Sequence, residues 1–225
     1  GVALLVGILS LILFIFQERR AATPIMPLKL FNDRVRVNAY ITRFFIVGMC
    51  FTFLYLAPQL MQNLYHFTPF MASVAFLLMS VPQFIFATRV SLLAEKLSIA
   101  KVAVISAVIS VIAMLWIVLV GVQHGFWLAL AVPLVLVGIG QGFAMSPLTS
   151  LGVANTTPDI AGSASGVVNT FHQTGQSVSL AITVALTGSI SSYAKSFNMA
   201  AVVMLIYAVI ALIATSNIVR IQKVK

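Results

Sequence analysis

The chain has 225 residues, of which 61% are hydrophobic and only 8% are charged. An average soluble domain has about 25% charged residues, so the composition excludes a soluble globular protein. The formal net charge of +9 could indicate a protein that binds nucleic acid, but that interpretation depends on where the charges lie along the chain.

Seven uninterrupted apolar stretches follow one another along the sequence. They cover residues 1–16, 37–61, 70–87, 102–122, 126–146, 162–187 and 199–218. The last six are about as long as the roughly 17 to 25 residues that an α-helix needs to cross a hydrocarbon core about 30 Å thick. The sequence therefore predicts an all-α membrane protein with about seven transmembrane helices, and the lipid bilayer is its first expected partner.

The first stretch is shorter than the others. As an α-helix, residues 1–16 would extend only about 24 Å, which is less than the core thickness, and the chain begins with Gly1 rather than Met. We expect a transmembrane helix that is cut partway along, in the C-terminal part of a longer protein. A signal peptide is the alternative, but its basic residues would precede the apolar stretch, whereas Arg19 and Arg20 follow it.

Basic residues are distributed very unevenly between alternate loops. All 13 lysines and arginines except Lys195 lie in or beside the segments 17–36, 89–101 and 220–225. Such an excess marks the cytoplasmic loops of multi-pass proteins. The pattern predicts a multi-pass protein of the cell membrane with its N-terminal end outside and its C-terminus in the cytoplasm. It also explains the net charge, so no nucleic-acid partner is expected.

These assignments divide the chain into four parts. We expect a truncated transmembrane helix at 1–16, a basic cytoplasmic loop at 17–36, a six-helix bundle at 37–219 and a basic cytoplasmic tail at 220–225.

Ionisable residues inside the predicted spans are rare. Arg43 lies about two turns into the second stretch, and its long stem could carry the charge to the interface, so we expect it to snorkel rather than to pair with a buried ligand. The four acids, Glu18, Asp33, Glu95 and Asp159, fall in predicted cytoplasmic loops. No carboxylate is therefore predicted in the middle of the membrane.

Glycines in the fifth and sixth stretches recur at spacings that let helices approach closely. The residues that we expect at helix contacts are Gly138, Gly142, Gly162, Gly166 and Gly175.

The sixth stretch also carries a polar stripe. Its polar side chains recur every three or four residues, which places them on one face of a helix. They are Ser165, Asn169, His172, Gln176, Ser179 and Thr183. Two interpretations remain open, because the stripe could hydrogen-bond to a partner helix or line a water-filled cavity.

Several motifs resemble the fourteen-span drug:proton antiporters of the major facilitator superfamily. The most specific is AGSASGVVNTFHQTG at 161–175, which is similar to the thirteenth span of that family. PLKLF at 27–31 is similar to the segment after the eighth span, and the glycine-rich segment 138–148 resembles the twelfth span. His172 stands where many relatives have Arg.

The resemblance implies that this chain is the C-terminal half of such a fold, preceded by one extra helix. It implies proton-coupled export of lipophilic, cationic drugs by alternating access, with protons, a drug-like small molecule and the missing N-terminal half as partners. The implied substrate-cavity residues are Asn169, His172, Gln173, Gln176, Gln141 and Gln59. Glu95 and Lys96 stand in the family's cytoplasmic latch loop, although a solvated loop is an equal alternative, because this sequence lacks the motif's glycine.

Two other functions remain open. The chain could be a non-transporting membrane fragment or an interaction protein from a disrupted gene. An intramembrane enzyme is the second alternative, but metal or acid–base catalysis needs clustered ligands, and His66, His124 and His172 lie in separate elements without a carboxylate. We expect no catalytic residue, no metal and no cofactor.

Overall fold

A computed structural model of the chain describes residues 26–224 and, before them, Val6, Gly7, Leu9, Ser10, Leu13, Phe16 and Gln17. Most of the predicted truncated helix at 1–16, the charges at 18–20 and Lys225 lie outside the described residues. The described part is helical and contains no β-strand, which confirms the predicted all-α class.

The helices follow the predicted order of apolar stretches. Their bounds are Arg34–Asn63 (α1), Pro69–Ala75 (α2), Leu77–Ala87 (α3), Val90–Leu97 (α4), Ile99–Val120 (α5), Val132–Gly152 (α6), Pro158–Thr187 (α7) and Tyr193–Val224 (α8). A 3-10 helix, Leu28–Asn32, precedes α1, and a π-helical segment, Trp127–Ala131, leads directly into α6. Because α8 continues to Val224, the predicted tail is helical where the structure describes it.

Five helical segments within the described residues are long and apolar enough to cross a membrane. They are Arg34–Asn63, Pro69–Ala87, Ile99–Val120, Trp127–Gly152 and Tyr193–Lys223. Helix α7 has 30 residues, which is also sufficient length, but its polar stripe lowers its mean hydropathy. We treat α7 as a sixth spanning helix, because it packs along α1 and connects the same two ends of the bundle as its neighbours.

Helix α1 is the centre of the packing. It contacts α6, α7 and α8, while α6 also packs against α3 and α5. The largest hydrophobic cluster joins α1, α5, α6 and α8 through buried side chains such as Phe53, Met114, Leu134 and Met204. The six spanning segments therefore form one bundle around α1 and α6.

Glycines of α6 allow two neighbouring helices to approach closely. A Cβ atom on Gly138 would overlap the carbonyl oxygen of Met79, and one on Gly142 would lie 2.7 Å from the carbonyl oxygen of Gln83, both on α3. Gly140 projects to the other side, where a Cβ would lie 3.1 Å from Ser110 Oγ of α5. Gly138 and Gly142 thus lie at a helix contact of the kind that their spacing predicts.

Gly162 and Gly166 differ from the glycines of α6. A Cβ atom on either would meet no described atom within 4 Å. The first half of α7 packs instead through Ala164, Val167 and Val168, which are buried on another face. The close contact predicted at Gly162 and Gly166 is therefore absent among the described residues.

The segment before α1 is fixed to the α6–α7 loop by polar contacts. Asp33 caps α1, and its Oδ2 accepts a hydrogen bond of 2.9 Å from Asn155 Nδ2. Partial burial opposes ionisation of Asp33, but the hydrogen bonds from Asn155 and from the backbone of Arg36, with the Arg36 charge, hold the pKa of the carboxyl below its ordinary value. The carboxylate therefore stabilises this junction at neutral pH.

Arg36 has a structural role that the sequence did not indicate. Its side chain is only 5% exposed, although it lies in the segment 17–36 that was predicted to be a basic cytoplasmic loop. Nε donates to Leu30 O at 3.0 Å, and Nη1 donates to Ala154 O at 2.8 Å and to Asn155 O at 3.0 Å. Arg36 therefore belongs to α1 and joins three segments of the chain.

Successive spanning helices place their connections at two ends of the bundle. The segments 27–33, 88–98 and 153–157 and the end of α8 lie at one end, which we call the basic end. Every described lysine and arginine except Lys195 and Arg43, which lies further along α1, is at or near the basic end. The alternate loops that are rich in basic residues in the sequence thus lie together at one end of the bundle.

The first prediction concerns which end faces the cytoplasm. Single cysteines would replace the exposed residues Lys101, Lys195 and Lys223 in a background without Cys50. If the basic end is cytoplasmic, a membrane-impermeant maleimide should label only the Lys195→Cys protein in intact cells, and all three after permeabilisation. Labelling of Lys223→Cys from outside would reverse the orientation.

The second prediction concerns the junction at Arg36. Replacing Arg36 with Gln leaves several carbonyl oxygens without their charged donor, so we expect a loss of about 3 kcal/mol in stability. Arg34→Gln is the matched control, because Arg34 is exposed and adjacent in α1. Thermal unfolding in detergent should show a clear shift for Arg36→Gln only, and equal shifts for both variants would contradict a structural role.

Candidate functional site

The predicted polar stripe lies along α7, but its two ends have different surroundings. Ser179 and Thr183 are buried, whereas Asn169 is exposed and His172 and Gln176 are partly buried. The stripe thus passes from a packed half to an open half.

Contacts with α8 and α1 cover the packed half, where the Ser179 hydroxyl is buried without a described hydrogen-bond partner. The hydroxyl of Tyr207 on α8 lies 3.3 Å from Thr183 Oγ1 and donates to Ser179 O at 3.2 Å. A Cβ atom on Gly48 of α1 would lie 2.6 Å from Ser179 Cβ. Here the polar side chains serve helix packing, which was one of the two interpretations of the stripe.

A second glycine continues this close contact between α1 and α7. A Cβ atom on Gly175 would overlap the carbonyl oxygen of Phe44 on α1. Gly175 therefore lies at a helix contact like the one its sequence context predicts, and Gly48 is a partner that the sequence analysis missed. The segment 44–48 of α1 and the segment 175–179 of α7 therefore lie in close contact.

The open half is organised by Arg43 of α1. Arg43 Nε donates to His172 Nδ1 at 3.1 Å, and Nη1 donates to Met145 O at 3.0 Å and approaches Thr149 Oγ1 at 3.4 Å. The other ring nitrogen of His172 lies 3.1 Å from the side-chain amide of Gln176. We call these five residues the Arg43 cluster. The prediction that Arg43 snorkels to the interface is wrong, because acceptors on α6 and α7 hold it.

The hydrogen bond from Arg43 specifies the state of His172. Nδ1 must keep its lone pair to accept from a guanidinium, so a neutral His172 carries its proton on Nε2. Nε2 can then donate to the amide oxygen of Gln176, since the amide nitrogen and oxygen exchange places when the group rotates. A second proton on His172 would occupy Nδ1, so that an N–H of the imidazole would face the Nε–H of Arg43 and the hydrogen bond would be lost.

The remaining cavity candidates lie elsewhere or on the same open face. Gln173 is exposed beside His172. Gln141 is buried, and its Nε2 lies 3.4 Å from Ile46 O at the contact of α6 with α1. Gln59 lies near the end of α1 opposite the basic end, beside a cavity of about 340 Å³. The structure thus brings together Asn169, His172, Gln173 and Gln176 and separates Gln141 and Gln59 from them.

The proposed latch residues make no contact of the expected kind. Glu95 and Lys96 lie at the end of the short helix α4, and both are exposed. Neither side chain forms a hydrogen bond or an ion pair with a described residue. The solvated loop, which was the alternative at this position, fits the described structure better.

An apolar cavity lies apart from the Arg43 cluster. It has a volume of about 690 Å³ and lies between α2, α3 and the start of α6. Its lining includes Phe70, Leu78, Phe126 and Trp127. No group of His, Cys, Asp or Glu side chains that could hold a metal ion occurs in the part of the chain that the structure describes.

Comparison with known proteins gives a consistent family. The sequence model of the Major Facilitator Superfamily matches residues 1–180 and, in a second alignment, residues 39–219. The chain is 26% identical over 170 residues to the multidrug resistance protein Stp of Mycobacterium tuberculosis, covering 76% of this chain and 31% of Stp. It is 27% identical over 198 residues to the puromycin resistance protein pur8 of Streptomyces alboniger, covering 84% of this chain and 39% of pur8. The chain spans about a third of the length of these relatives.

The third prediction concerns the contact between α1 and α7. Gly175→Ala should lower thermal stability and the yield of folded protein, because the new methyl group overlaps the Phe44 carbonyl. Gly166→Ala is the matched control on the same helix, where nothing lies within 4 Å and alanine favours the helix by about 1 kcal/mol. Equal behaviour of the two variants would show that α1 and α7 do not approach as described.

Proposed function

Because the chain belongs to the Major Facilitator Superfamily, we propose that it is the C-terminal part of a proton-coupled multidrug efflux transporter of the cell membrane. The family implies a transporter rather than an enzyme. In this proposal the chain supplies one wall of a central cavity, and the part that it lacks relative to its longer relatives supplies the other.

One observation carries the proposal. The open half of the stripe on α7 presents Asn169, Gln173 and the partly buried His172 and Gln176 to the outside of the bundle. Such a face is unsuited to lipid, because polar groups in hydrocarbon are costly. An opposing half that encloses the face with water between them would remove that cost. Alternating access by rocking of two halves around a midplane site is how such transporters work, and His172 lies at the middle of α7.

Proton coupling in this proposal depends on the absent part. The described acids, Asp33, Glu95 and Asp159, lie in a cap, a short helix and a first helical turn at the basic end. A carboxylate relay in the membrane would therefore be contributed by the other half. By the charge distribution, the N-terminal end of the chain would be outside and its C-terminus cytoplasmic.

The fourth prediction is made for the transporter that contains this chain. Asn169→Ala, His172→Ala and Gln176→Ala should each change which compounds are exported while membrane abundance stays near normal, because these groups are not part of the packed half. Efflux of a panel of fluorescent compounds and immunoblots of membranes would measure both quantities.

Thr174→Ala is the matched control for this series. Thr174 is exposed on another side of α7 and hydrogen-bonds to its own helix at Thr170 O, so its loss should leave the profile unchanged. Unchanged export of every compound by all three test variants at normal abundance would contradict the proposal. It would favour a packing role for these three side chains, whereas a lack of any export by the unmodified protein would favour the alternative of a non-transporting membrane or interaction protein.

A further inference from the structure

Arg43 is a cation inside a spanning helix without a described counter-charge. Its hydrogen-bond partners are His172 Nδ1, Met145 O and Thr149 Oγ1, and all three are neutral. No described carboxylate lies in the membrane-spanning part of the bundle. A charge in this position is costly unless an anion or water compensates it.

The guanidinium still has donors without a described acceptor. Of its five N–H groups, Nε and Nη1 account for the contacts with α6 and α7, and the two N–H groups of Nη2 have no acceptor among the described residues. The side-chain amides of Asn169 and Gln173 are exposed and also lack partners there. Several donors without a described acceptor therefore lie on α1 and α7 in the part of the bundle that contains the Arg43 cluster.

The chemistry of these groups favours a particular ligand. The planar fork of Arg matches carboxylate, sulfonate and phosphate groups and binds them through two parallel hydrogen bonds. The neutral amides of Asn169 and Gln173, which flank His172 on α7, can donate to the remaining oxygen atoms. A purely cationic ligand would instead meet a like charge with no carboxylate among the described residues nearby, so the cationic selectivity implied by the family resemblance lacks a basis in the described part of this wall.

We propose that the Arg43 cluster, with Asn169 and Gln173, binds the anionic group of an amphiphilic substrate. The substrate is an anionic or zwitterionic lipophilic compound, with its carboxylate, sulfonate or phosphate at Arg43. This inference rests on the proposed function for its biological role, but binding itself can be measured without transport. A carboxylate from the missing half is the other source of the same chemistry.

The fifth prediction uses two fluorescent probes that share their aromatic rings. The full chain in phosphatidylcholine nanodiscs would be titrated with 1-anilinonaphthalene-8-sulfonate and with N-phenyl-1-naphthylamine, which lacks the sulfonate. The sulfonate probe should bind saturably above the level of empty nanodiscs. Arg43→Gln should weaken that binding at least tenfold and leave the uncharged probe unaffected, and Arg43→Lys should recover only part of the loss.

Arg89→Gln is the matched control, because Arg89 is an exposed cation of the basic end outside the cluster. It should bind the sulfonate probe like the unmodified chain. Equal binding of the sulfonate by Arg43→Gln and the unmodified chain would overturn the proposal.

A competition experiment on the unmodified chain keeps the test independent of whether variants fold. Octanoate should displace the sulfonate probe, whereas octylammonium at the same concentration should not. Equal displacement by both would mean that the site recognises only an apolar chain and would overturn the proposal.

Repeating the titration on the transporter that contains this chain distinguishes the two sources of the anion. Retained sulfonate binding supports a substrate site. Binding by the isolated chain but not by the whole transporter would assign Arg43 to a carboxylate of the other half and overturn the substrate proposal. Binding without any efflux would instead contradict the proposed transport function alone.

Discussion

The backbone contact between α1 and α7 is the constraint on which the polar face depends. Gly175 lies against the carbonyl oxygen of Phe44, and Gly48 lies against Ser179. Arg43 directly precedes Phe44, and His172 lies one turn before Gly175. The absence of a side chain at Gly175 therefore brings the guanidinium and the imidazole within the 3.1 Å of their hydrogen bond. A wider helix separation would leave both polar groups without their partner.

The two halves of the polar stripe on α7 differ in role: one half contributes to helix packing, and the other belongs to the proposed functional face. Toward the end opposite the basic end, the Tyr207 hydroxyl contacts Thr183 Oγ1 and donates to the backbone carbonyl of Ser179 in a buried contact between α7 and α8, so this half of the stripe serves helix packing. Toward the basic end, Asn169 remains exposed. The stripe carries polar side chains along its whole length, but neighbouring helices cover only one half of it. The two halves therefore have different roles.

Periodicity was sufficient to predict the helices and the stripe, since both follow from local spacing. It was insufficient to identify helix neighbours. Gly166 and Gly175 look equivalent in sequence, yet only Gly175 meets another backbone, because contact depends on which face the bundle covers. Gln141 and Gln59 were expected in the same cavity as His172, but the fold places them at a helix contact and at the other end of the bundle.

The arginines show most clearly that the sequence alone does not predict whether a charged side chain is exposed or buried. Arg34 and Arg36 are two residues apart, yet one is exposed and the other is 5% exposed and bound to carbonyl oxygens of two loops. Arg43, further along the same helix, faces an open polar surface. Charges held by such contacts are placed by the fold, so they are weaker evidence for topology than solvated ones. Exposed cations such as Arg89 and Lys101 still lie at the same end, and the asymmetry therefore survives when Arg36 and Arg43 are set aside.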